Sequence, residues 1–431
     1  MSQKYLFSLE NLIDVNPLKE YHKFFSNLEL DRFFKAASSV GRKPVSPINL
    51  IKALIFKNLK GIPSLAELVR ELEENPSLAI FCGFEPGSAI PPRERFSAFL
   101  RNTPNEEFQR LRRSLVKKLI LLGEIKGTYL SIDSAPIKSK VKENNLKASY
   151  SNRFDKSTPP KGDPEARIGI EIHFLLKKQV SYFWGYRNYC VTDSESELPV
   201  EEITRAANTP EVSMFIPLFS RVQNYRFSIK GILADANFDS ESILKYIFEE
   251  LKAYPYIARN PRRKTNQEYQ LSSSGARVCI AGFEMVYWGK FRDRGKERLK
   301  FVCPITHSKS FQKEHPYCPW FHPRFVEGKG CVAYLRADSN IREKIAYQSK
   351  KFKKIYSLRT GTERLFSRLL SLTMQNLPVK GLNAVANHCT LAHITCLGIA
   401  LAACKTGHRD KIRYVKTFLP NLYKIVKEQN L

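Results

Sequence analysis

The chain has 431 residues, 43% of them hydrophobic and 12% aromatic, which is enough to pack two or three domains and excludes a disordered polyelectrolyte. Its 70 Lys and Arg against 42 Asp and Glu leave a formal charge of +28. That is the footprint of a polyanionic partner, nucleic acid before a merely basic protein such as a ribosome-bound one. Nine scattered cysteines do not make a secreted disulfide framework and fit reduced thiols in a cytoplasm. Residues 1–12 lack the apolar core of a secretory signal. The apolar run 382–404 carries Asn383, Asn387, His388 and His393, so it reads as a buried helix and not as a membrane span.

In chain order, residues 1–125 read as a helical N-terminal domain that binds DNA. Ser46 and Pro47 start a helix that Gly61 and Pro63 end. Ser64 with Glu67 forms a capping box, and Thr103 with Glu106 forms another before residues 108–122. Arg70, Arg93, Arg95, Arg101, Arg110, Arg112 and Arg113 on this helical stretch fit either a helix laid in a DNA groove or the solvated faces of an ordinary bundle.

Residues 126–260 change character. Runs 128–132, 167–175, 180–189, 229–234 and 254–258 read as strands, with helices at 200–207 and 240–252 and a polar loop at 144–164. Three consecutive strands followed by strands interleaved with helices predict an α/β, RNase H-like mixed sheet with flanking helices. Residues 261–352 read as a β-rich insertion that opens near the basic cluster Arg262, Arg263 and Lys264. Residues 353–431 return the chain to the catalytic domain as helices, at 356–375 and 382–404.

Cutting a phosphodiester with two divalent ions requires hard oxygen ligands. Asp133 closes the first strand run and Asp235 closes the fourth, which places both at one sheet edge if those strands are neighbours. Glu363, on the helix predicted to follow, supplies a third carboxylate. Tyr356 and Arg359 lie on the same helical face at spacings of seven and four residues, and Arg359 is suited to grip a phosphate. Each acid taken alone has an ordinary explanation as a turn, cap or helix-dipole residue. Their order in one strongly basic chain is what joins them. Asp239 competes with Asp235 but is expected to cap the next helix.

These residues bring the chain to a resemblance. It is similar over nearly its whole length to bacterial insertion-sequence transposases of the DDE superfamily. The N-terminal likeness runs through residues 41–44, 50–54, 64–68, 81–84 and Arg95-Phe96. Asp133-Ser134 resembles the context of the first acid, and Leu233-Ala234-Asp235 with Phe238-Asp239-Ser240 resembles that of the second. Tyr356, Arg359 and Glu363 resemble the signature of the third, but Leu370 stands where the signature has lysine, with Arg364 or Arg368 as partial substitutes.

The resemblance implies a transposase in which Asp133, Asp235 and Glu363 hold two Mg²⁺ or Mn²⁺ ions, helped by Arg359 and Tyr356. It implies terminal inverted repeats and target DNA as partners, a homo-oligomer in the synaptic complex, no membrane, and a bacterial cytoplasm at the nucleoid. A nuclease of the same fold without strand transfer and a degenerate DNA-binding copy are the alternatives. Trp184 and Trp288 are candidates for base stacking against an ordinary core role. Cys303 with His307 and Cys318 with His322 repeat one spacing, near His315 and Cys331, and offer a structural zinc site against buried thiols and surface histidines.

Overall fold

The computed structural model describes residues 18–34, 45–174, 178–260, 271–293, 296–336 and 341–415. Residues 1–12, the motif at 41–44 and the basic cluster at 262–264 lie outside them. The chain divides into a first unit, Met1–Lys126, Ser134–Pro210 and Thr362–Leu431, and a second unit, Gly127–Asp133 and Glu211–Gly361.

Among its described residues the first unit begins with the helices α1 (Leu18–Ser26), α2 (Pro47–Lys60), α3 (Leu65–Glu74), α4 (Pro76–Phe81), α5 (Arg93–Asn102) and α6 (Asn105–Leu121). Pro47 opens α2, where no amide donor is needed, and Gly61 closes it at a φ of 69°, a conformation that favours glycine. Ser64 Oγ accepts from the Glu67 amide at 3.1 Å, as a capping box requires. Two expected caps do not form. Ser46 makes no side-chain cap bond, and α6 starts after Pro104, leaving Thr103 as the end of α5. The Thr103 carbonyl instead accepts from Asn383 and Asn387. Along α6, Phe108, Leu111, Leu115 and Leu119 form one buried stripe at helical spacing.

Strand β1 (Tyr129–Lys138) passes from the second unit to the first at Asp133, so that aspartate sits in mid-strand and not at the strand's end. In the first unit β2 (Arg167–Phe174), the 16-residue β3 (Lys178–Asp193) and β4 (Leu198–Ala206) are antiparallel. The half of β1 in this unit adjoins β3. Residues 200–207, expected as a helix, are β4. Val200, Glu201, Glu202 and Ile203 are all buried, so tertiary burial and pairing with β3 override the helical look of Glu-Glu, and a run buried on both faces shows no alternation.

The second unit adds α7 (Glu211–Val222), β5 (Gly231–Ala234), α8 (Glu241–Glu249) and β6 (Tyr254–Ile257). The first residues of β1, then β5, then β6 run in parallel. Antiparallel strands around β3 and parallel strands around β5 make the mixed α/β class expected. Next come β7 (Val286–Asp293), β8 (Lys296–Val302) and β9 (Val332–Arg336), an antiparallel sheet over Met285, Leu299, Phe301 and Leu335.

The helix expected at 356–375 is broken into α9 (Lys350–Tyr356), a 3-10 turn over Ser357–Arg359, α10 (Thr360–Leu369) and a kinked turn over Leu370–Met374. Thr373, at a φ of 66°, closes that kink and is fixed by buried partners. Its hydroxyl accepts from Lys57 Nζ (2.9 Å) and donates to Asn58 Oδ1 (2.8 Å), while its carbonyl meets His388 Nε2 (3.1 Å). Finally α11 (Leu382–Lys405) fills the first unit, packed on α5, α6 and β4. Among the described residues it is the one helix long and apolar enough to cross a membrane, and its apolar stretch is wholly buried. Gly398 admits the Phe24 ring where a Cβ would lie 2.7 Å from it.

Candidate active site

β1 and β5 pair Tyr129 with Gly231, Leu130 with Ile232 and Ser131 with Leu233. Asp133 and Asp235 each follow the last of these pairs, Ser131 with Leu233, by two residues, Asp133 still within β1 and Asp235 just past the end of β5. β5 stops at Ala234 because the Asp235 side chain turns back and accepts from the Asn237 amide at 2.9 Å, capping a 3-10 turn. The parallel pairing of β1 and β5 thus ends two residues before each aspartate.

Arg359 is the cation beside them. Its Nη1 lies 3.5 Å from Asp133 Oδ2, and its guanidinium stands over the Tyr356 ring at 5.9 Å. Tyr356 is in turn stacked on Phe352, with ring centroids 5.7 Å apart. A 3-10 turn over Ser357–Arg359 interrupts the single helix expected for Tyr356, Arg359 and Glu363, and Tyr356 and Arg359 meet across it. Glu363 lies in the first unit, on the first turn of α10.

The electrostatics of this edge favour a cation. Burial raises the Asp235 carboxyl above the ordinary carboxylate range, and the Glu211 charge raises it further, against the Asn237 hydrogen bond and the Arg359 charge. Glu211, at the start of α7, was not singled out from the sequence. It accepts from Asn237 Nδ2 at 3.0 Å and so joins the same cluster. An acid 24 residues before Asp235, with no motif around it, gives no sequence signal. Aspartates, with the Glu211 carboxylate beside Asp235, are hard oxygen donors of the kind that suit a divalent ion. No three acidic, His or Cys groups among the described residues are already gathered as a metal site, so this fit rests on the aspartate pair and its charge.

Asp239 does not cap α8, because Ser240 does, accepting from the Ile243 amide. Asp239 is buried and takes the Asn260 amide (3.0 Å) and Arg342 Nε (2.8 Å). Asp239 is thus engaged as part of the scaffold. Arg364 and Arg368, the proposed substitutes for the lysine missing at Leu370, both turn to Glu197. Arg112 is fully buried in an ion pair with Glu201 at 2.6 Å, so it belongs to the core and not to a DNA-facing row. Arg70, Arg93, Arg95, Arg101 and Arg110 remain exposed. Arg93 and Arg101 join Lys140 in a cleft of about 550 Å³ at the start of α3.

Trp184 is buried and donates to the Arg153 carbonyl, a core role. Trp288 is 57% exposed and meets His307 edge-on. The histidine candidates are engaged elsewhere. His307 bonds Thr306, His322 caps a turn at Arg324, and His315 packs on Phe283 and Phe311. The cysteines do gather: Cys331 packs on the apolar cluster that holds Cys303 and Cys318, and it interacts with both Cys303 and Cys279, the last a residue the repeated spacing did not include.

Comparison with known families adds to this geometry. Residues 170–397, more than half of the chain, match the family model described as the transposase DDE domain. Residues 7–102 match the transposase domain designated DUF772. No curated protein matches. Among solved structures the chain is similar to a piggyBac transposase in the cryo-EM structure of its synaptic complex with hairpin DNA. The identity is 14%, the match covers 95% of this chain and 79% of that one, and the TM-score is 0.42.

Proposed function

Since the chain belongs to the transposase DDE-domain family, and is thus a transposase acting on DNA, we propose that Asp133, Asp235 and Glu363 are the acidic triad of an insertion-sequence element's transposase. The observation that supports this reading is the parallel pairing of β1 and β5, which ends at Ser131 and Leu233, two residues before Asp133 and Asp235. Members of the family generally depend on divalent metal, and the proposed ions are two Mg²⁺ or Mn²⁺. Held by the three carboxylates, they would supply Lewis acidity to the attacking and leaving oxygens. A structural zinc forms no part of the reading.

The chain's own residues do the rest. Asp235 with a raised carboxyl and Glu211 beside it concentrate negative charge that favours cation entry. Arg359, braced on Tyr356, aims a planar cation at the site and would hold a backbone phosphate. In the first step water attacks phosphorus at the transposon end, and the bond to the 3′ oxygen breaks to free a 3′-OH. In the second that 3′-OH attacks a target phosphodiester in line, and a target 3′-OH leaves. Residues 1–125 would bind the terminal repeats, with Arg93, Arg101 and Lys140 in the cleft as phosphate contacts. Residues 126–260 and 353–431 would form the catalytic domain around the insertion at 261–352. The DNA partners would be the terminal inverted repeats and a target, brought together by a homo-oligomer in a bacterial cytoplasm.

The test is incubation with Mg²⁺ and labelled DNA carrying the element's own terminal repeats. Joined products are expected. Cleavage without joining would mark a nuclease, and binding alone a degenerate copy. Asp133→Ala, Asp235→Ala and Glu363→Ala are each expected to lose on the order of 10³-fold or more in cleavage, about 4 kcal/mol of barrier, with end binding kept. Wild-type cleavage by any one of them removes that residue from the triad.

A further inference from the structure

Glu197 lies in the turn between β3 and β4, buried, at a φ of 58° that few side chains adopt. The turn is tied by Asp193, whose carbonyl accepts from the Glu197 amide and whose carboxylate accepts from the Ser196 amide and hydroxyl. Three arginines converge on this one acid. Arg364 donates through Nε (2.9 Å) and Nη2 (2.7 Å) to Oε1, and Arg368 donates to Oε2 (3.1 Å) and to the Glu197 carbonyl. Arg413 donates to Oε1 (3.1 Å) and to the Ser196 carbonyl. Every one of these residues belongs to the first unit.

Arg364 and Arg368 are four residues apart on α10, hence on one face of the helix. Fork-like guanidinium contacts to a buried carboxylate fix direction as well as distance. With that face clamped to the β3–β4 turn, α10 cannot roll about its axis. Glu363 precedes Arg364 by one residue and is offset from it by about 100° around the helix, so the clamp sets where the Glu363 carboxylate is aimed. A roll of even a fraction of that angle would move a long side chain by more than a ligand position tolerates.

We propose that Glu197 is a positioning residue for the reaction, acting through Arg364 and Arg368 to hold Glu363 in the orientation that receives a divalent cation. This rests on the reading of Glu363 as a ligand. It requires no contact between Glu197 and DNA or metal.

The experiment is a Mn²⁺ titration of terminal-repeat cleavage by the full chain, with metal-free end binding measured beside it. Glu197→Gln keeps the shape and removes the charge. It is expected to raise the half-saturating Mn²⁺ concentration by about 10- to 100-fold, the range seen when groups that orient ligands are lost, with end binding within about twofold of wild type. Glu197→Asp, which keeps the charge, is expected to recover most of the shift. Arg112→Met serves as the control for stability alone, because it should lower the unfolding temperature without moving the Mn²⁺ midpoint.

A wild-type midpoint in Glu197→Gln would overturn the proposal. If that variant does not fold, Arg364→Ala, whose side chain is 56% exposed, must shift the midpoint in the same direction, and an unchanged midpoint there overturns it equally. Glu363→Gln separates the two readings. If Glu363→Gln is inactive while Glu197→Gln is normal, only the positioning role falls, and if Glu363→Gln cleaves normally, the triad reading falls.

Discussion

Asp235, at the end of β5, and Glu197, in the β3–β4 turn, are carboxylates drawn away from water, and the chain surrounds them in opposite ways. Beside Asp235 the protein places another acid, Glu211, so burial and like charge both lift its carboxyl. Around Glu197 it places Arg364, Arg413 and Arg368. Burial alone would raise that carboxyl too, but the Arg364 hydrogen bond and the three positive charges outweigh it and hold it below the ordinary value. An acid compensated from within is part of the scaffold, whereas an acid left with surplus negative charge is poised for a cation from outside. Glu201, buried with Arg112, follows the scaffold pattern.

The comparison breaks most visibly if the scaffold acids prove dispensable. Arg112→Met removes from the buried Glu201 its closest ion pair, leaving Arg113, 3.6 Å away, beside it. The expected loss is about 3–5 kcal/mol of folding stability, read by denaturant unfolding, and replacing Glu201 by Leu as well should return much of it. A loss under about 1 kcal/mol in the single variant would show that the ion pair does not hold α6 to β4.

A change of sign sharpens the contrast. In metal-free buffer Glu197→Gln is expected to cost about 1–3 kcal/mol, since it weakens several charge-assisted hydrogen bonds. Asp235→Asn is expected to leave stability unchanged or raise it by about 0.5–1 kcal/mol, as removing strain at a functional site commonly does. The pH dependence follows. The Glu197 carboxyl is depressed in the folded state, so its contribution is present above the unfolded carboxylate pKa and is lost as pH falls through the folded one. The Asp235 carboxyl is raised, so it costs stability as pH climbs from the unfolded value through the folded one. Unfolding temperatures of the two variants between pH 3 and pH 7 would expose equal signs if the contrast is false.

A smaller effect concerns Lys57, the buried cation that donates to Thr373. Burial, with Lys140 adding to it, depresses its ammonium to about 7. The unfolded chain then binds more protons than the folded one between about pH 7 and the ordinary lysine value. Stability should therefore rise across that window, by on the order of 2 kcal/mol between pH 7 and 9. Lys57→Met should flatten that part of the slope. An identical slope in the variant would show that Lys57 stays charged inside the fold.

The two regions also differed in how far the sequence could be read. Asp133 and Asp235 stand out in the sequence because short apolar runs lead into each, and β1 and β5 do pair in parallel just before them. The helical N-terminal stretch was legible for the same local reasons, Pro47 at a helix start and Ser64 with Glu67 as a cap. Glu197 was not legible. Its partners lie 167, 171 and 216 residues away, and nothing local distinguishes it from its neighbour Glu195. β4 was hidden because its two glutamates are buried, and partners such as Arg112, Gln109, Asn188 and Thr390, none of them readable from the local sequence, make that possible. The face shared by Tyr356, Arg359 and Glu363 was read as one helix because a 3-10 turn keeps almost the same side-chain spacing.

The central claim is that the Asp133 and Asp235 pair binds the catalytic cation. Calorimetric titration of Mn²⁺ into the DNA-free protein tests it most directly. Wild type should bind in this assay, and Asp133→Asn with Asp235→Asn should weaken binding by at least about tenfold while the fold is kept. Wild-type Mn²⁺ affinity in that double variant would contradict the account.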